Sequence, residues 1–538
     1  MDRKFNELAK NKFDVVVIGG GVIGTGVARD AALRGLKTLL LEKEDFGYGT
    51  TSRSTRLIHG GLRYLSHFDF KLVRQDLRER EILLKNAPHL VKPLPFLLPL
   101  TGLSQHFIMG TGMRMYDLLS YDKSIPTYRH FSRQQTMEME PQLKLNDLKG
   151  SYQFYDAQVS FPERLCLENA ISASENGALI FNHAEVTGFN SSDRMIQGVR
   201  VKDKLSSSTT NVECRVIVNV TGHWTNGILG MAAANPKNEI KTTKGVHLVT
   251  PKLSHNAIVI FSRSDGRLLF VIPWHGYSLI GTTDTEYSGD KEAINAEMAD
   301  VTYLVNEVQY AFPNLAHKDV YYTMAGLRSL VSSGSKKASN ISRSHKLVDH
   351  ETAENLKGFI SILGGKMTGY RAIAEEAVNL ACKKLGVQTP CTTSEKALPG
   401  APGYDIETMN NIATEHSVPR ETLEHLNTIY GSRLVKVLEI AKTDPRGIEK
   451  ICPHSQDILA QVWYAVKEES CFTAADFLLR RSTTGLCSCQ GLDAVEVVSV
   501  EMGRLLGWSI GEWQRQVEIY RSLVIPWTSF KKGGNSSN

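Results

Sequence analysis

Three glycines near the start of the chain have the spacing of a phosphate-binding turn. Gly19, Gly21 and Gly24 form the pattern G-x-G-x-x-G after the apolar run FDVVVI and before a stretch with helical character. In such a turn the first glycine permits the tight bend, the second lets the backbone approach a pyrophosphate, and the third lets the helix pack on the strand. The phosphates would lie at the helix N-terminus, whose N–H groups and dipole favour negative charge.

Glu42 supplies the second part of this pattern. It ends the predicted strand KTLLLE after the helix, and its carboxylate can accept hydrogen bonds from both ribose hydroxyls of an adenosine. A glycine pattern alone is weak evidence, but here a strand precedes it, a helix follows it and an acidic residue stands at the right distance. These residues therefore predict a dinucleotide site in a β-α-β unit, without deciding between NAD and FAD.

Two later segments favour FAD. One is VIVNVTG, a buried strand that opens into a turn at Thr221 and Gly222. The other is GFISILGGKMTGYRAIAEEAV, in which a strand, the loop at Gly364 and Gly365 and a helix follow one another. FAD enzymes of this type return a distant segment to the first β-α-β unit, and the partial positive charge at the N-terminus of the late helix stabilises the anionic reduced flavin. A simple NAD dehydrogenase has no need of such a segment.

The composition is that of an ordinary globular protein. The chain has 538 residues, 42% of them hydrophobic and 22% charged, and a net charge of +5 does not by itself indicate nucleic-acid binding. The eight cysteines lack a regular spacing over most of the chain, which favours a reducing cytosol. No apolar run is long enough to span a membrane, and the N-terminus has neither signal-peptide nor transit-peptide character. We therefore expect a cytoplasmic protein.

The order of the predicted elements indicates an α/β protein with three parts. A discontinuous, Rossmann-like FAD-binding domain is expected first, then a substrate-binding or cap domain built on an antiparallel sheet. After the Pro/Gly cluster PGAPG, which is a linker candidate, the helical period of the sequence predicts a C-terminal helical domain. The expected bounds are 1–90, 150–235 and 330–390 for the first domain, 91–149 and 236–329 for the second, and 395–530 for the third.

Several segments beyond the glycine turn are specific to one enzyme family. They are VIGGGVIGTGVARDAALRGLKTLLLEKEDFGYGTTSRSTRLIHGGLRYL, KNAPHLVKPLPFLLP, KGVHLVTPK, FVIPW, SLIGTTDTEY, AGLRSL, LGGKMTGYR, CTTSEKALPG and AADFLLRRSTTGL. HGGLRYL and GTTDTEY are much more specific than any glycine pattern. Over nearly its whole length the chain thus resembles the FAD-dependent, quinone-linked glycerol-3-phosphate dehydrogenases.

The resemblance implies an activity and a location. The expected reaction oxidises sn-glycerol 3-phosphate to dihydroxyacetone phosphate, with hydride passing to FAD and electrons passing on to a membrane quinone. Peripheral attachment to the inner face of the cytoplasmic membrane is implied, a homodimer is compatible with it, and no nucleic-acid partner is expected. Ser329 replaces a proline of the family pattern, which loosens the loop carrying Arg328, and Met367 and Gly369 depart from the usual Leu and Thr. The charged residues are kept, so the chemistry is expected to be intact.

The resemblance also selects cations and a base. Arg63 and Arg328 are the first candidates for the substrate phosphate, because a planar guanidinium binds phosphate oxygens bidentately, and Arg343 is a weaker third. His59 is the candidate base, since an imidazole can take the alcohol proton as hydride leaves. A role for His59 only in hydrogen-bonding flavin or backbone stays open, and His247 is a competing candidate.

The remaining expected site residues surround these. Lys366 would stabilise reduced flavin or the forming ketone, and Tyr64 would shape the substrate pocket. Gly60 and Gly61 would let the backbone approach the flavin. The full set expected to bind the cofactor is Gly19, Gly21, Gly24, Glu42, Thr51, Ser52, Ser54, Gly60, Gly61, Thr221, Gly222, Gly364, Gly365, Lys366, Met367 and Thr368.

Two stretches bear on membrane and metal binding. Residues 104–119 are apolar with few charges, which fits a buried edge, whereas the resemblance favours a surface that dips into lipid. Cys452, Cys487 and Cys489 weakly resemble an iron–sulfur-like domain in the anaerobic branch of the family. That site needs four cysteines, and His454 stands where one of them would be. We therefore expect no metal site.

Other functions on a flavin fold stay open. An oxidase for the same substrate would pass electrons to oxygen, but that branch typically carries a middle insertion that this sequence lacks. An amine- or amino-acid-oxidising flavoenzyme would favour one carboxylate-binding arginine and an apolar pocket. A non-catalytic flavoprotein would hold FAD that no small substrate reduces.

Overall fold

A computed structural model describes residues 3–61, 69–234, 240–331 and 345–535. The strands within these ranges form two sheets, and a helical unit follows them.

The first sheet has a parallel centre and antiparallel margins. In sheet order its parallel strands are β18 (Phe359–Leu363), β10 (Thr209–Asn219), β1 (Lys12–Ile18), β2 (Thr38–Leu41) and β7 (Leu179–Phe181). The antiparallel strands are β17 (Lys346–Asp349), beside β18, and the hairpin of β8 (Ala184–Ser192) and β9 (Met195–Asp203), which pairs with β10.

Both faces of this sheet are covered, which explains why its strands are apolar throughout. Val15 and Val17 of β1 point towards a layer of helices, while Val16 and Ile18 point towards β8 and β9, and all four are buried. The helices of the first layer are α1 (Val22–Leu33), α5 (Pro162–Glu175) and α9 (Tyr370–Leu385). The run FDVVVI is thus a buried parallel strand, as predicted.

The second sheet is antiparallel except for one parallel pair, β4 with β12. Its strands are β3 (Leu57–Ile58), β4 (Val91–Leu100), β5 (Arg129–Ser132), β6 (Gly150–Val159), β11 (Ile240–Pro251), β12 (Ala257–Phe261), β13 (Leu268–Trp274), β14 (Tyr277–Gly281), β15 (Thr285–Glu286) and β16 (Tyr322–Val331). β6 was expected in the FAD-binding domain. It lies in the second sheet instead, because it pairs with β4 along its whole length.

Helices cover both faces of the second sheet as well. Its helices are α2 (Phe70–Asn86), α3 (Leu103–Leu119), α4 (Arg133–Met139) and α7 (Met298–Gln309). Two short helices, α6 (Thr225–Met231) and α8 (His350–Glu354), contact strands of the first sheet instead. Leu77 of α2 and Tyr116 of α3 pack in one core with the strands, while Leu304 of α7 packs in another. Among the described residues, no helix has both the length and the apolar character that crossing a bilayer requires.

The C-terminal unit is helical, as predicted. It contains α10 (Ile406–His416), α11 (Arg420–Tyr430), α12 (Leu434–Ala441), α13 (Leu459–Glu468), α14 (Ala474–Arg480), α15 (Val495–Leu506) and α16 (Ile510–Val524). Buried ion pairs join it to the first domain, among them Arg481 with Asp45, and Arg164 Nη1 with Glu469 Oε1 at 2.5 Å. Removing one partner of such a pair leaves a buried charge, so these contacts hold the unit in one orientation. The predicted fold class, with its three parts, is confirmed.

Candidate active site

The carboxyl ends of the parallel strands open onto a cleft of about 510 Å³. One part of the cleft is lined by residues at or next to the ends of four of these strands: Ile18, Leu41, Val220 and Ile362. The cleft continues to the β11–β16 pair of the second sheet, so both sheets contribute to its walls. Ligands of open α/β sheets bind at this edge, because the loops leaving the strands converge there.

The three glycines have backbone geometry that fits the spacing of the turn. A Cβ at Gly19, whose φ is +108°, would lie 2.6 Å from the carbonyl oxygen of Val220, and one at Gly24 would lie 1.9 Å from that of Gly19. The helix therefore lies too close to the strands for a side chain. A Cβ at Gly21 would meet only Thr51 Oγ1, at 3.5 Å, because Gly21 faces the open cleft. Bare backbone beside the N-terminus of α1 leaves room for an anionic group.

Glu42 lies at the rim of the same cleft, directly after β2. Its Oε2 accepts a hydrogen bond from Gly20 N at 2.6 Å, and its Oε1 accepts one from Glu44 N at 2.8 Å. Burial raises the pKa of the Glu42 carboxyl, while these two N–H groups oppose that shift. A carboxylate held in this way keeps further lone pairs for ribose hydroxyls.

Segments distant in sequence close the cleft. Thr221 and Gly222 follow β10, and Gly364 and Gly365 follow β18; all four line the cleft. Gly365 has a φ of +107°, and a Cβ there would lie 2.9 Å from the side chain of Ile23 at the start of α1. The late loop thus meets the glycine turn, as the flavin interpretation requires. Bare backbone for a pyrophosphate, an acid for a ribose and a long continuation of the cleft together fit FAD.

Arg328 lies on β16 where the two sheets meet at the cleft. Its Nη1 donates to the carbonyl oxygen of Thr283 and to Asp284 Oδ1, both at 3.1 Å, and its Nη2 donates to Thr282 Oγ1 at 2.8 Å. A Cβ at Gly245 would lie 2.3 Å from Nη2, so the guanidinium rests on the bare backbone of β11. These contacts fix a cation in the wall of the cleft.

His247 also lines the cleft, from β11, and is buried. Its Nε2 lies 3.0 Å from Thr55 Oγ1, and its Nδ1 has no hydrogen-bond partner within the described ranges. Burial, together with the charges of Arg328 and Arg56, lowers the pKa of His247 to about 3. The imidazole is therefore neutral at physiological pH.

His59 and Lys366 lie on loops that Thr368 brings together. Thr368 Oγ1 accepts a hydrogen bond from His59 N at 3.1 Å, and all three residues line the cleft. Lys366 Nζ donates to Asp76 Oδ2 of α2 at 2.7 Å. Burial raises the pKa of Asp76 to about 6, although the charge of Lys366 opposes that shift. An anchored cation and the candidate base thus line the same cleft.

Arg53 is a lining residue that the sequence analysis missed. Its Nη1 donates to the carbonyl oxygen of Tyr48 at 2.9 Å, and in the part of the chain that the structure describes no carboxylate lies within ion-pair distance of it. Burial lowers the pKa of Arg53. A Cβ at Gly326 would lie 2.6 Å from Arg53 Cβ, which places Arg53 against the strand of Arg328. A signal for Arg53 is present in the sequence, because this arginine interrupts the hydroxyl-rich loop GTTSRST. Other lining residues absent from the prediction include Lys43, Thr55, His223, Trp224 and Gly245.

The structure brings most of the predicted residues together. Those that line the cleft are Gly19, Gly21, Gly24, Glu42, Thr51, Ser54, His59, Thr221, Gly222, His247, Arg328, Gly364, Gly365, Lys366, Met367 and Thr368. Ser52, Gly60 and Gly61 are not among its lining residues. A Cβ at Gly60 would lie 2.6 Å from Leu77 Cδ2, so this glycine is needed for packing against α2. Arg63, Tyr64 and Arg343 lie outside the described residues.

Known proteins share these features. The family model described as FAD dependent oxidoreductase matches residues 14–371, and the one described as the C-terminal domain of alpha-glycerophosphate oxidase matches residues 391–512. A glycerol-3-phosphate dehydrogenase of Synechocystis sp. is 38% identical over 543 aligned residues, which cover 97% of this chain and 98% of that protein. Glycerol-3-phosphate dehydrogenase 2 of Mycobacterium bovis is 35% identical over 531 aligned residues, which cover 97% of this chain and 89% of that protein.

A solved structure agrees with both the fold and the cofactor. The X-ray structure of the glycerol-3-phosphate dehydrogenase from Bacillus halodurans, complexed with FAD, has a TM-score of 0.79 and 28% identity, covering 97% of this chain and 96% of that one. FAD is therefore the cofactor of this chain, and the prediction of a flavin rather than a nicotinamide site is confirmed. The chain belongs to the family of FAD-dependent glycerol-3-phosphate dehydrogenases.

Proposed function

We propose that this chain oxidises sn-glycerol 3-phosphate to dihydroxyacetone phosphate and delivers the electrons to a membrane quinone. The observation that carries the proposal is the position of Arg328, a cation fixed in the cleft that the glycine turn and the imidazoles of His59 and His247 also line. The names of the relatives agree with this substrate.

The phosphate is assigned to Arg328. Its planar fork suits phosphate oxygens, and the ion pair with Asp284, 3.1 Å away, holds it in position. Arg53 adds a second positive charge against the same strand, and we include it as a supporting cation. We also propose Arg63 and Arg343 as further phosphate ligands, and Tyr64 as a residue that shapes the pocket.

The alcohol proton is assigned to His59. A base needs a pKa near the working pH, and the burial that lowers the pKa of His247 to about 3 makes that imidazole a poor acceptor. We therefore propose His247 as a binding residue. When bound, FAD accepts the hydride from the secondary carbon. Lys366, anchored by Asp76, would stabilise the negative charge that develops as the alcohol is oxidised.

The route to the quinone is assigned to α3. Phe107, Ile108 and Leu118 are 77%, 62% and 66% exposed, while Met113 and Tyr116 on the opposite side are buried. Phe107 and Leu118 are eleven residues apart, three helical turns, so they share one face. An apolar face of this kind lies in the membrane interface when it meets lipid. We propose that it holds the protein at the inner face of the cytoplasmic membrane.

Anaerobic mixing tests the proposal. The FAD-loaded protein is combined in turn with glycerol 3-phosphate, glycerol and amino acids, and the oxidised flavin absorbance is followed. We expect bleaching with glycerol 3-phosphate only, and faster reoxidation by a quinone analogue than by oxygen. Bleaching by an amino acid would reject the substrate, an absence of bleaching would favour a non-catalytic flavoprotein, and faster reoxidation by oxygen would make the chain an oxidase.

A further inference from the structure

Two cysteines and one aspartate lie together in the C-terminal helical unit, far in sequence from the FAD turn. Cys452 lies between α12 and α13, while Cys489 and Asp493 lie between α14 and α15. Cys452 Sγ is 3.6 Å from Cys489 Sγ, and the two sulfurs and a carboxylate oxygen of Asp493 all lie within 4.8 Å of one another. Two loops from different parts of the unit thus present three metal-ligating atoms at one point.

The spacing of these atoms suits one class of ligand. Zinc binds thiolates at about 2.3 Å and carboxylates at about 2.1 Å in a tetrahedron, which places two sulfur ligands of one ion about 3.8 Å apart. The observed 3.6 Å between Cys452 Sγ and Cys489 Sγ is close to that edge and far beyond a disulfide bond of about 2.05 Å. Soft thiolates also select zinc over magnesium or calcium.

The surroundings of the three atoms are ordered by polar contacts. The N–H of His454 donates to Cys452 Sγ at 3.4 Å, and His454 Nε2 lies 3.4 Å from Asp493 Oδ2. Cys487 Sγ donates to the carbonyl oxygen of His454 at 3.2 Å, which ties the two loops together. Cys452 is buried, whereas the side chains of His454 and Asp493 are about half exposed, so an ion can enter from solvent and a fourth position faces water.

We propose that Cys452, Cys489 and Asp493 form a zinc site that joins the two loops of the C-terminal unit. Each thiol releases its proton to solvent as its sulfur binds the ion. Two protons leave, and no electron is transferred. Asp493 is the donor that sequence reasoning missed: a search for a fourth cysteine does not detect a carboxylate four residues after Cys489. None of the three residues lines the FAD cleft.

Metal analysis of the full-length, FAD-loaded protein tests the site. We expect about one zinc per chain after purification without chelator. After stripping, titration with Co²⁺ should give a thiolate-to-metal charge-transfer band in a difference spectrum against the same FAD-loaded protein without metal. Cys452→Ser should lose the zinc and the band, and Asp493→Asn should weaken zinc binding by roughly tenfold or more.

Cys391→Ser is the matched control, because Cys391 is half-buried and, among the described residues, belongs to no such group. It should retain zinc in full. Asp493 is half exposed, so Asp493→Asn decides the matter if Cys452→Ser does not fold. The proposal is overturned if the wild-type protein binds neither zinc nor Co²⁺ through sulfur. It is also overturned if Cys452→Ser and Asp493→Asn bind both metals as the wild type does. Iron with acid-labile sulfide, or a Cys452–Cys489 disulfide in protein purified without air, would overturn it equally.

Discussion

Lys366 and Asp76 form an ion pair that joins the loop after β18 to the helix α2, with Lys366 Nζ 2.7 Å from Asp76 Oδ2. The loop closes the FAD cleft and the helix packs on the second sheet, so the pair lies between the two layers that contribute to the site. Asp76 is 3% exposed at its side chain, and its burial explains why its pKa rises despite a neighbouring cation.

The pH dependence of stability should reveal Asp76. Because folding raises its pKa from 3.8 to about 6, the folded chain binds more protons than the unfolded chain between these values. Stability therefore falls as the pH rises through this window, by about 1 kcal/mol between pH 5 and 7 from this group. Asp76→Asn removes the titration. Urea unfolding should show the variant gaining about 1 kcal/mol relative to wild type between these two pH values.

Asp69→Asn is the control for that experiment, because Asp69 caps the same helix and asparagine caps equally well. Its difference from wild type should be the same at both pH values. If the stability difference between Asp76→Asn and wild type were also the same at both pH values, Asp76 would not titrate near pH 6.

Substitutions in the glycine turn should separate folding from FAD binding. Gly24→Ala places a methyl 1.9 Å from a carbonyl oxygen, so we expect a loss of stability of about 1–3 kcal/mol or more together with the loss of FAD. Gly21→Ala fills open cleft, so the chain should fold and lose FAD alone. FAD content after gel filtration and Tm of the FAD-free protein are the measurements.

Gly112→Ala in α3 is the matched control, since a Cβ there meets no atom within 4 Å. It should retain FAD and gain up to about 1 kcal/mol, because alanine is the better helix former. Full FAD content in Gly21→Ala would mean that the pyrophosphate does not approach this glycine.

Arg328 should determine selectivity for the phosphate. We expect Arg328→Lys to lower kcat/KM for glycerol 3-phosphate by about 30-fold or more, roughly 2 kcal/mol, because an ammonium lacks the planar fork. Gly245→Ala should act in the same direction, since its methyl would displace the guanidinium. Any residual rate with glycerol, which carries no phosphate, should hardly change.

Arg215→Lys is the control for Arg328, because the Arg215 side chain is 61% exposed and lies on the first sheet away from the cleft. Its kinetics should equal wild type. Equal losses with glycerol and glycerol 3-phosphate in Arg328→Lys would assign the arginine a role other than phosphate binding.

Substitutions of His59 and His247 should have different effects. His59→Asn should slow flavin reduction by about 10²-fold or more if His59 takes the alcohol proton. His247→Asn should weaken substrate binding and leave the shape of the pH profile unchanged between pH 5 and 9, because the pKa of His247, about 3, keeps it neutral throughout. Stopped-flow flavin reduction over this range is the measurement. An unchanged rate in His59→Asn would remove it as the base.

The exposed face of α3 should determine membrane binding. Phe107→Ser combined with Leu118→Ser removes two large apolar side chains, so partition onto vesicles should fall by about tenfold or more. Vesicle flotation measures it. Ile406→Ser combined with Ile510→Ser alters two comparably exposed residues of the C-terminal unit and should leave flotation unchanged. If wild type does not float with vesicles, the membrane proposal fails.

Features encoded over short stretches were predictable. The glycine turn, the buried run FDVVVI and the strand GFISIL with its loop and helix are each local patterns, and each has the predicted structure. The position of β6 was not predictable in this way, because a strand's sheet depends on a hydrogen-bonded partner elsewhere in the chain. The residues of β4 that pair with it lie 50 to 68 positions earlier in the chain.

Side-chain roles show the same division. The pattern of α2 indicates an amphipathic helix, yet it does not say which of its many charged residues faces inward. Only packing against the loop after β18 selects Asp76. Gly60 is predicted at the flavin because it follows His59 in sequence, and only the structure shows that a Cβ there would meet Leu77.

The sequence by itself therefore determined the cofactor and the family, because a phosphate-binding turn and its motifs are contiguous and their glycines have few substitutes. Tertiary structure alone decided which charges meet. The charges and ligand atoms that meet come from segments far apart in the chain or from separate loops. The pairs are Arg328 with Asp284, Lys366 with Asp76, and Cys452 with Asp493. Their electrostatics depend on burial and on distances of a few ångströms, which no residue pattern encodes.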